Sequence, residues 1–158
     1  MKSLKIWSLA VALLMTLASC DKAVEDGTGS GGVGTGNFDA IENEWKLVSV
    51  NGTPNEFGVY ISFDTGLFAM FQQVYTLDYK FYDGEYKIEG GKLTGEYTDG
   101  TAWKCAYTGG VSADGKTLTL TSDEENPITC VYEACEIPEI IRDEAFGDTR
   151  AVEVIPFL

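Results

Sequence analysis

The side chains that could do chemistry are carboxylates, thiols and phenols, because histidine is absent. Without imidazole there is no Ser-His-Asp or Cys-His arrangement and no zinc site built on histidine. Asp123-Glu124-Glu125 is the densest acidic cluster. A calcium loop needs six or more oxygens at spaced positions around an internal glycine, and this stretch has neither, so no metal site is assigned. Asp64, Asp83, Asp99 and Asp114 each stand beside or near a glycine, which turn chemistry accounts for. Two carboxylates facing across a cleft could cleave a glycosidic bond, but in so acidic a chain accidental pairs are expected, so spacing alone assigns no catalytic residue. Cys105 and Cys130 share the interior parity of Trp103, Tyr107 and Tyr132, while Cys135 falls on the opposite face. One strand lies between the first two, about 9.6 Å at ~4.8 Å per strand, beyond the ~7 Å Cα limit for a disulfide. These thiols are expected to act as small buried hydrophobes, since a catalytic thiol here has no evident base. The reading is therefore non-enzymatic, with no catalytic residue and no cofactor.

Cys20 invites a different chemistry. Lys2 and Lys5 precede an apolar run, residues 6–18, that ends in Leu17-Ala18-Ser19-Cys20. The run is shorter than the ~20 residues a helix needs to cross a bilayer. A basic start, a short apolar run and small residues before a cysteine form the pattern of a secretory signal peptide over residues 1–19. The last four residues look like a bacterial lipobox, which implies lipidation of Cys20 at sulfur. Each buried methylene contributes ~0.8 kcal/mol, so two or more acyl chains anchor a protein permanently. The expected location is the outer membrane, lipid-anchored, on its periplasmic or cell-surface side, and the membrane is a partner through this lipid. Asp21-Lys22 and Glu25-Asp26 read either as an ordinary linker or as resembling the acidic export signals of surface lipoproteins in the Bacteroides group.

The net charge of −14, with 11 Lys+Arg against 25 Asp+Glu, sets nucleic acid and anionic lipid surfaces aside as partners of the folded part. Residues 20–37 combine the lipidated cysteine with a glycine-rich tether, from which no core can be built. No strand precedes these glycines and no Gly-Lys-Ser/Thr follows, so they are not a phosphate loop. Residues 38–141 remain for a single domain, and residues 142–158 read as a C-terminal tail. Within the tail, residues 143–149 are polar and residues 151–158 are apolar again. The apolar end either docks on the domain or stays free for a partner. The polar stretch before it favours the free tail.

Residues 38–141 alternate with period two, and helical periodicity is weak. Eight strands are expected: Glu44–Val50, 57–63, Leu67–Gln73, 77–89, 92–98, 101–108, 116–122 and 128–136. Asp83-Gly84 interrupts the fourth and reads as a hairpin or a bulge. Residues 137–141 read as a short turn or a helical turn. Turn signals every 8–12 residues between short strands predict an all-β protein, an antiparallel up-and-down meander of about eight strands closing into a barrel.

Trp45-Lys46-Leu47-Val48, Tyr60-Ile61-Ser62-Phe63 and Gly84-Glu85-Tyr86-Lys87-Ile88 occur in this order. They are followed by residues 93–100 with Trp103 behind them, then residues 118–122 and Val131-Tyr132-Glu133. Together they resemble the lipocalin-like lipoproteins of Bacteroides-type bacteria, over about residues 41–141. The chain departs from the wider lipocalin pattern at Asn43-Glu44-Trp45, where a glycine usually stands two places before the tryptophan. The resemblance implies a small lipocalin-like barrel, with Trp45 packed at its base. One face of the sheet is expected to carry Trp45, Phe57, Phe63, Phe68, Tyr79, Phe81, Tyr86, Tyr97, Trp103, Tyr107 and Tyr132. These either line a cavity for a small apolar or amphipathic ligand or fill the interior, in which case the chain docks on another envelope protein.

Overall fold

A computed structural model describes residues 37–74, 78–147 and 155–158. The expected signal peptide, Cys20 with its expected lipidation and most of the expected tether lie outside the described residues. Among these residues no helix is long and apolar enough to cross a membrane.

The chain is all-β with one short helix. Its strands are β1 (Glu44–Val50), β2 (Thr53–Pro54), β3 (Val59–Asp64), β4 (Leu67–Gln73), β5 (Tyr79–Glu89), β6 (Lys92–Tyr97), β7 (Tyr107–Val111), β8 (Thr117–Ser122) and β9 (Thr129–Ala134), followed by α1 (Glu139–Gly147). The sheet is antiparallel in the order β2-β1-β3-β4-β5-β6-β7-β8-β9, and β1 also pairs with β9, which closes it into a ring. One strand more than expected is present, because the two-residue β2 folds back on β1 (Val50↔Thr53) through Asn51-Gly52. Both turn residues have positive φ, 49° and 74°, as a tight two-residue hairpin requires. Thr65-Gly66 and Gly90-Gly91 turn the β3–β4 and β5–β6 hairpins in the same way.

Asp83-Gly84 is neither a hairpin nor a bulge. β5 runs straight through it, with Gly84 opposite Phe68 on one side and Tyr97 on the other. A Cβ at Gly84 would collide with the Glu96 carbonyl oxygen, so glycine is what lets β6 come this close.

The ring is uneven. β6 and β7 meet at the single pair Leu93↔Tyr107, and the expected strand 101–108 is broken. The Asp99-Gly100 turn does form, Ala102 bridges to Glu96, and Trp103 N–H reaches the Gly95 carbonyl at 2.8 Å. After that the chain leaves the ladder, because Ala106 turns to Asp123. Its N–H donates to Asp123 Oδ1 at 3.1 Å, and its carbonyl accepts from the Asp123 N–H at 2.9 Å. Lys92 pairs with Asp123 at 2.9 Å and Lys104 with Glu124 at 2.8 Å. The acidic cluster therefore staples the gap between β6 and β7. β7 then continues through Gly109-Gly110, a stretch that reads as a turn by composition. A side chain at Gly110 would collide with the backbone of Asn37, which bridges to it.

Register assigns the two ends of the ring. One end carries Phe38 and Ile41 beside Trp45, with the β3–β4, β5–β6 and β7–β8 turns. Trp45 is fully buried, and its indole N–H donates to the Ile41 carbonyl at 2.9 Å. The other end carries the connections 51–58, 98–106 and 123–128.

The stretch expected to be a tail from residue 142 onward begins inside a docked helix, α1. Ile137, just before α1, and Ile141 and Ala145 on it pack on Tyr60 and Phe71 outside the sheet. Glu44 holds the entry to this helix: its carboxylate accepts the Ile137 N–H and the Arg142 guanidinium, each at 2.5 Å. The docked helix gives Phe71 a burial of 1 % exposure on what would otherwise be the wet face.

Candidate functional site

Eight of the eleven expected aromatics lie in one interior cluster: Trp45, Phe63, Phe68, Tyr86, Tyr97, Trp103, Tyr107 and Tyr132. Six of them pack edge to face, with ring centres 5.0 Å apart for Phe63–Tyr86 and Phe68–Trp103, 5.6 Å for Phe68–Tyr97 and 6.0 Å for Trp103–Tyr107. Such geometry sets the electropositive ring edge against the electronegative face.

Three of the eleven lie elsewhere. Because β5 is continuous, Tyr79 and Phe81 have the opposite parity to Tyr86 and join the outer cluster under α1, Phe81 against Phe71 at 5.3 Å. Tyr82 takes the inner place instead. Phe57 is 65 % exposed, because β3 begins only at Val59 and the ladder does not reach it. The cysteines have the expected placement: all three are free, Cys105 and Cys130 against the interior cluster and Cys135 against the outer one.

The interior holds polar atoms as well as rings. Tyr132 is fully buried, and its hydroxyl has no hydrogen-bond partner among the described residues; the same is true of Trp103 Nε1. Leaving a buried donor unpaired costs about 1–3 kcal/mol. Burial raises the Tyr132 phenol well above its ordinary range and pushes the Cys130 thiol up to about 11, with Cys105 nearby adding to the latter. Both groups stay protonated at neutral pH. They can donate hydrogen bonds but offer no nucleophile.

The end of the ring opposite Trp45 is occupied. Leu158 is 4 % exposed and belongs to the interior cluster; Phe157 packs half-buried beside it. The Tyr97 hydroxyl donates to the Leu158 main-chain oxygen at 2.8 Å, and Gln72 Nε2 donates to the Ile155 main-chain oxygen at 3.3 Å. Burial, with the Tyr82 phenol next, raises the Tyr97 phenol far above its ordinary range and keeps it a donor. Pro156 borders a depression of about 500 Å³ with Tyr82, Tyr97 and Thr101. The expectation of a free tail thus fails for residues 155–158, while residues 152–154 lie outside the described ones. Two apolar side chains find the notch, and Tyr97 satisfies the main-chain oxygen they carry in. Parity placed Tyr97 inward, but no sequence signal pairs it with Leu158.

A second concavity, about 920 Å³, lies on the outer face of β4–β6. Asp64, Asp83, Glu85 and Glu96 line it with Lys87, and Leu67 beside them is 57 % exposed. Glu85 and Glu96 stand directly opposite on paired strands, an arrangement that destabilises a sheet. Among the described residues no group of three or more Cys, Asp or Glu side chains is arranged to hold a metal ion.

No protein-family model matches this chain, and neither do the curated proteins or the solved structures.

Proposed function

We propose that this chain is a lipid-anchored envelope lipoprotein with a lipocalin-like barrel. In this reading the barrel takes up a small apolar or amphipathic ligand without catalysis, at the end of the ring opposite Trp45. The observation that carries it is the lodging of Leu158 in the interior with its main-chain oxygen on the Tyr97 hydroxyl. An apolar group with one oxygen acceptor is what this end accepts. The unpaired donors Trp103 Nε1 and Tyr132 Oη add support, because a ligand oxygen would remove their desolvation cost. Native mass spectrometry after gentle purification tests it: a co-purifying small molecule is expected, and its loss on Trp103→Phe would tie it to the interior. The lipid anchor rests on the lipobox around Cys20. Cys20→Ala should remove the acyl mass and release the mature chain from the membrane fraction; an unchanged fraction and mass would refute it.

A second reading is favoured by the outer groove, where Leu67 is exposed among four carboxylates. Here the barrel is filled and the chain docks on another envelope protein through β4–β6. A co-purifying protein lost on Leu67→Glu distinguishes this from ligand uptake.

A further inference from the structure

The contacts at the occupied end name a ligand class. Gln72 on β4, Tyr82 on β5 and Tyr97 on β6 share the inward parity of three consecutive strands and follow one another diagonally, each two residues off direct register with the next. Gln72 and Tyr97 both spend a side-chain donor on a main-chain oxygen, those of Ile155 and Leu158. Between these two bonds Pro156 rests at the rim and Phe157 packs on the interior cluster, while the Ile155 side chain is 84 % exposed. Recognition is therefore by backbone oxygens at two points and by apolar side chains between them, a mode suited to a short peptide. The fit is also incomplete: Gln72 Oε1 is buried and no donor among the described residues reaches it. A peptide N–H placed there would recover about 1–3 kcal/mol that the chain's own segment leaves unclaimed.

We propose that this end of the barrel is a slot for a short apolar peptide, and that residues 155–158 are its occupant in cis. The inference rests on the preceding reading of this end as the binding face and narrows its ligand to a peptide. A tethered segment competes at an effective concentration in the millimolar range, so a free peptide meets a slot already filled. Emptying the slot should raise trans affinity by at least about tenfold.

The test uses the full chain and an acetylated peptide spanning Glu153–Leu158, labelled for fluorescence anisotropy. Phe157→Asp with Leu158→Asp ejects the segment without shortening the chain. This variant should bind the peptide at least about tenfold more tightly than the wild type. Adding Tyr97→Phe should weaken that binding at least about fivefold, the loss of the hydrogen bond to the Leu158 oxygen. A peptide with Asp at both apolar positions should not bind. A folded double variant that ignores the peptide up to 1 mM overturns the inference. Should the double variant fail to fold, titration of the wild type followed by NMR replaces it. Added peptide must then shift the signals of Gln72, Tyr82 and Tyr97 and release those of Phe157 and Leu158; unmoved signals at several millimolar overturn the inference. If peptide fails but a small molecule co-purifies, the inference falls and the wider reading stands. If neither binds, both fall.

Discussion

Trp45 and Trp103 are both buried, at 0 % and 6 % exposure, but their indole N–H groups differ. That of Trp45 donates to the Ile41 carbonyl at 2.9 Å, and that of Trp103 has no acceptor among the described residues. The same substitution, Trp→Phe, therefore should have unequal effects. At either site the smaller ring loses transfer energy and leaves a small void, about 1–2 kcal/mol together. At Trp45 the Ile41 carbonyl is also stranded at the closed end, which adds about 1–3 kcal/mol. At Trp103 the substitution removes a donor whose burial was uncompensated, which returns a similar amount. Trp45→Phe should thus destabilise by about 2–5 kcal/mol and Trp103→Phe by less than about 1 kcal/mol. For a domain of this size each kcal/mol moves the melting midpoint by about 4–8 °C, so the gap is measurable. Urea unfolding of the full chain, followed by far-ultraviolet circular dichroism so that the lost fluorophore does not matter, gives both midpoints and their slopes. Trp45→Ala, with a cost of about 3–5 kcal/mol, sets the upper bound. Equal costs for the two Trp→Phe variants would refute the distinction drawn between a paired and an unpaired indole. An unchanged midpoint for Trp45→Ala would remove Trp45 from the core.

Three further outcomes are expected. Glu96→Lys replaces the repulsion with Glu85 by attraction and should stabilise by up to about 1 kcal/mol at low salt, with the gain shrinking as salt is added; a destabilised variant refutes the cross-strand account. The hydrogen bond from Lys92 is the main cause that lowers the Asp123 carboxyl below its ordinary value. Its contribution is therefore present above the unfolded carboxylate range near ~3.9 and is lost as pH falls through the lower folded value, so Asp123→Asn should flatten the acid limb of a stability-versus-pH curve. An acid limb as steep as that of the wild type would show that Asp123 staples nothing. Cys130, held protonated up to about 11 by burial, should alkylate at pH 8 roughly two orders of magnitude more slowly than a free thiol and at the ordinary rate once unfolded; native labelling at the free-thiol rate would place it outside the core.

Much of this architecture was legible before any coordinates. β1 and β4 match the alternating runs residue for residue, because a strand with one buried face must alternate and its turns must carry glycine or a residue that tolerates positive φ. The interior placement of Trp45, Phe63, Phe68, Tyr97 and Tyr132 followed from parity alone, as did the separation of Cys135 from Cys130. Where parity failed, a register decision stood behind it. Read as a possible break, Asp83-Gly84 allowed Tyr79 and Phe81 to be put on the interior face with Tyr86, which the continuous strand overturns; only the close approach of the Glu96 carbonyl shows that the glycine serves packing and leaves the strand unbroken. α1 hid because its buried side is only Ile141 and Ala145 in a polar stretch, with Ile137 just before it, and they matter only once Phe71 is there to receive them. Local sequence determines which face a residue takes within its own strand, since that depends on a period of two. Which distant segment fills the end of the ring depends on contacts far apart along the chain. The meeting of Tyr97 with Leu158, and the lack of a hydrogen-bond partner for Trp103 Nε1 and Tyr132 Oη among the described residues, exist only in the closed ring, because no local pattern encodes a partner sixty residues away.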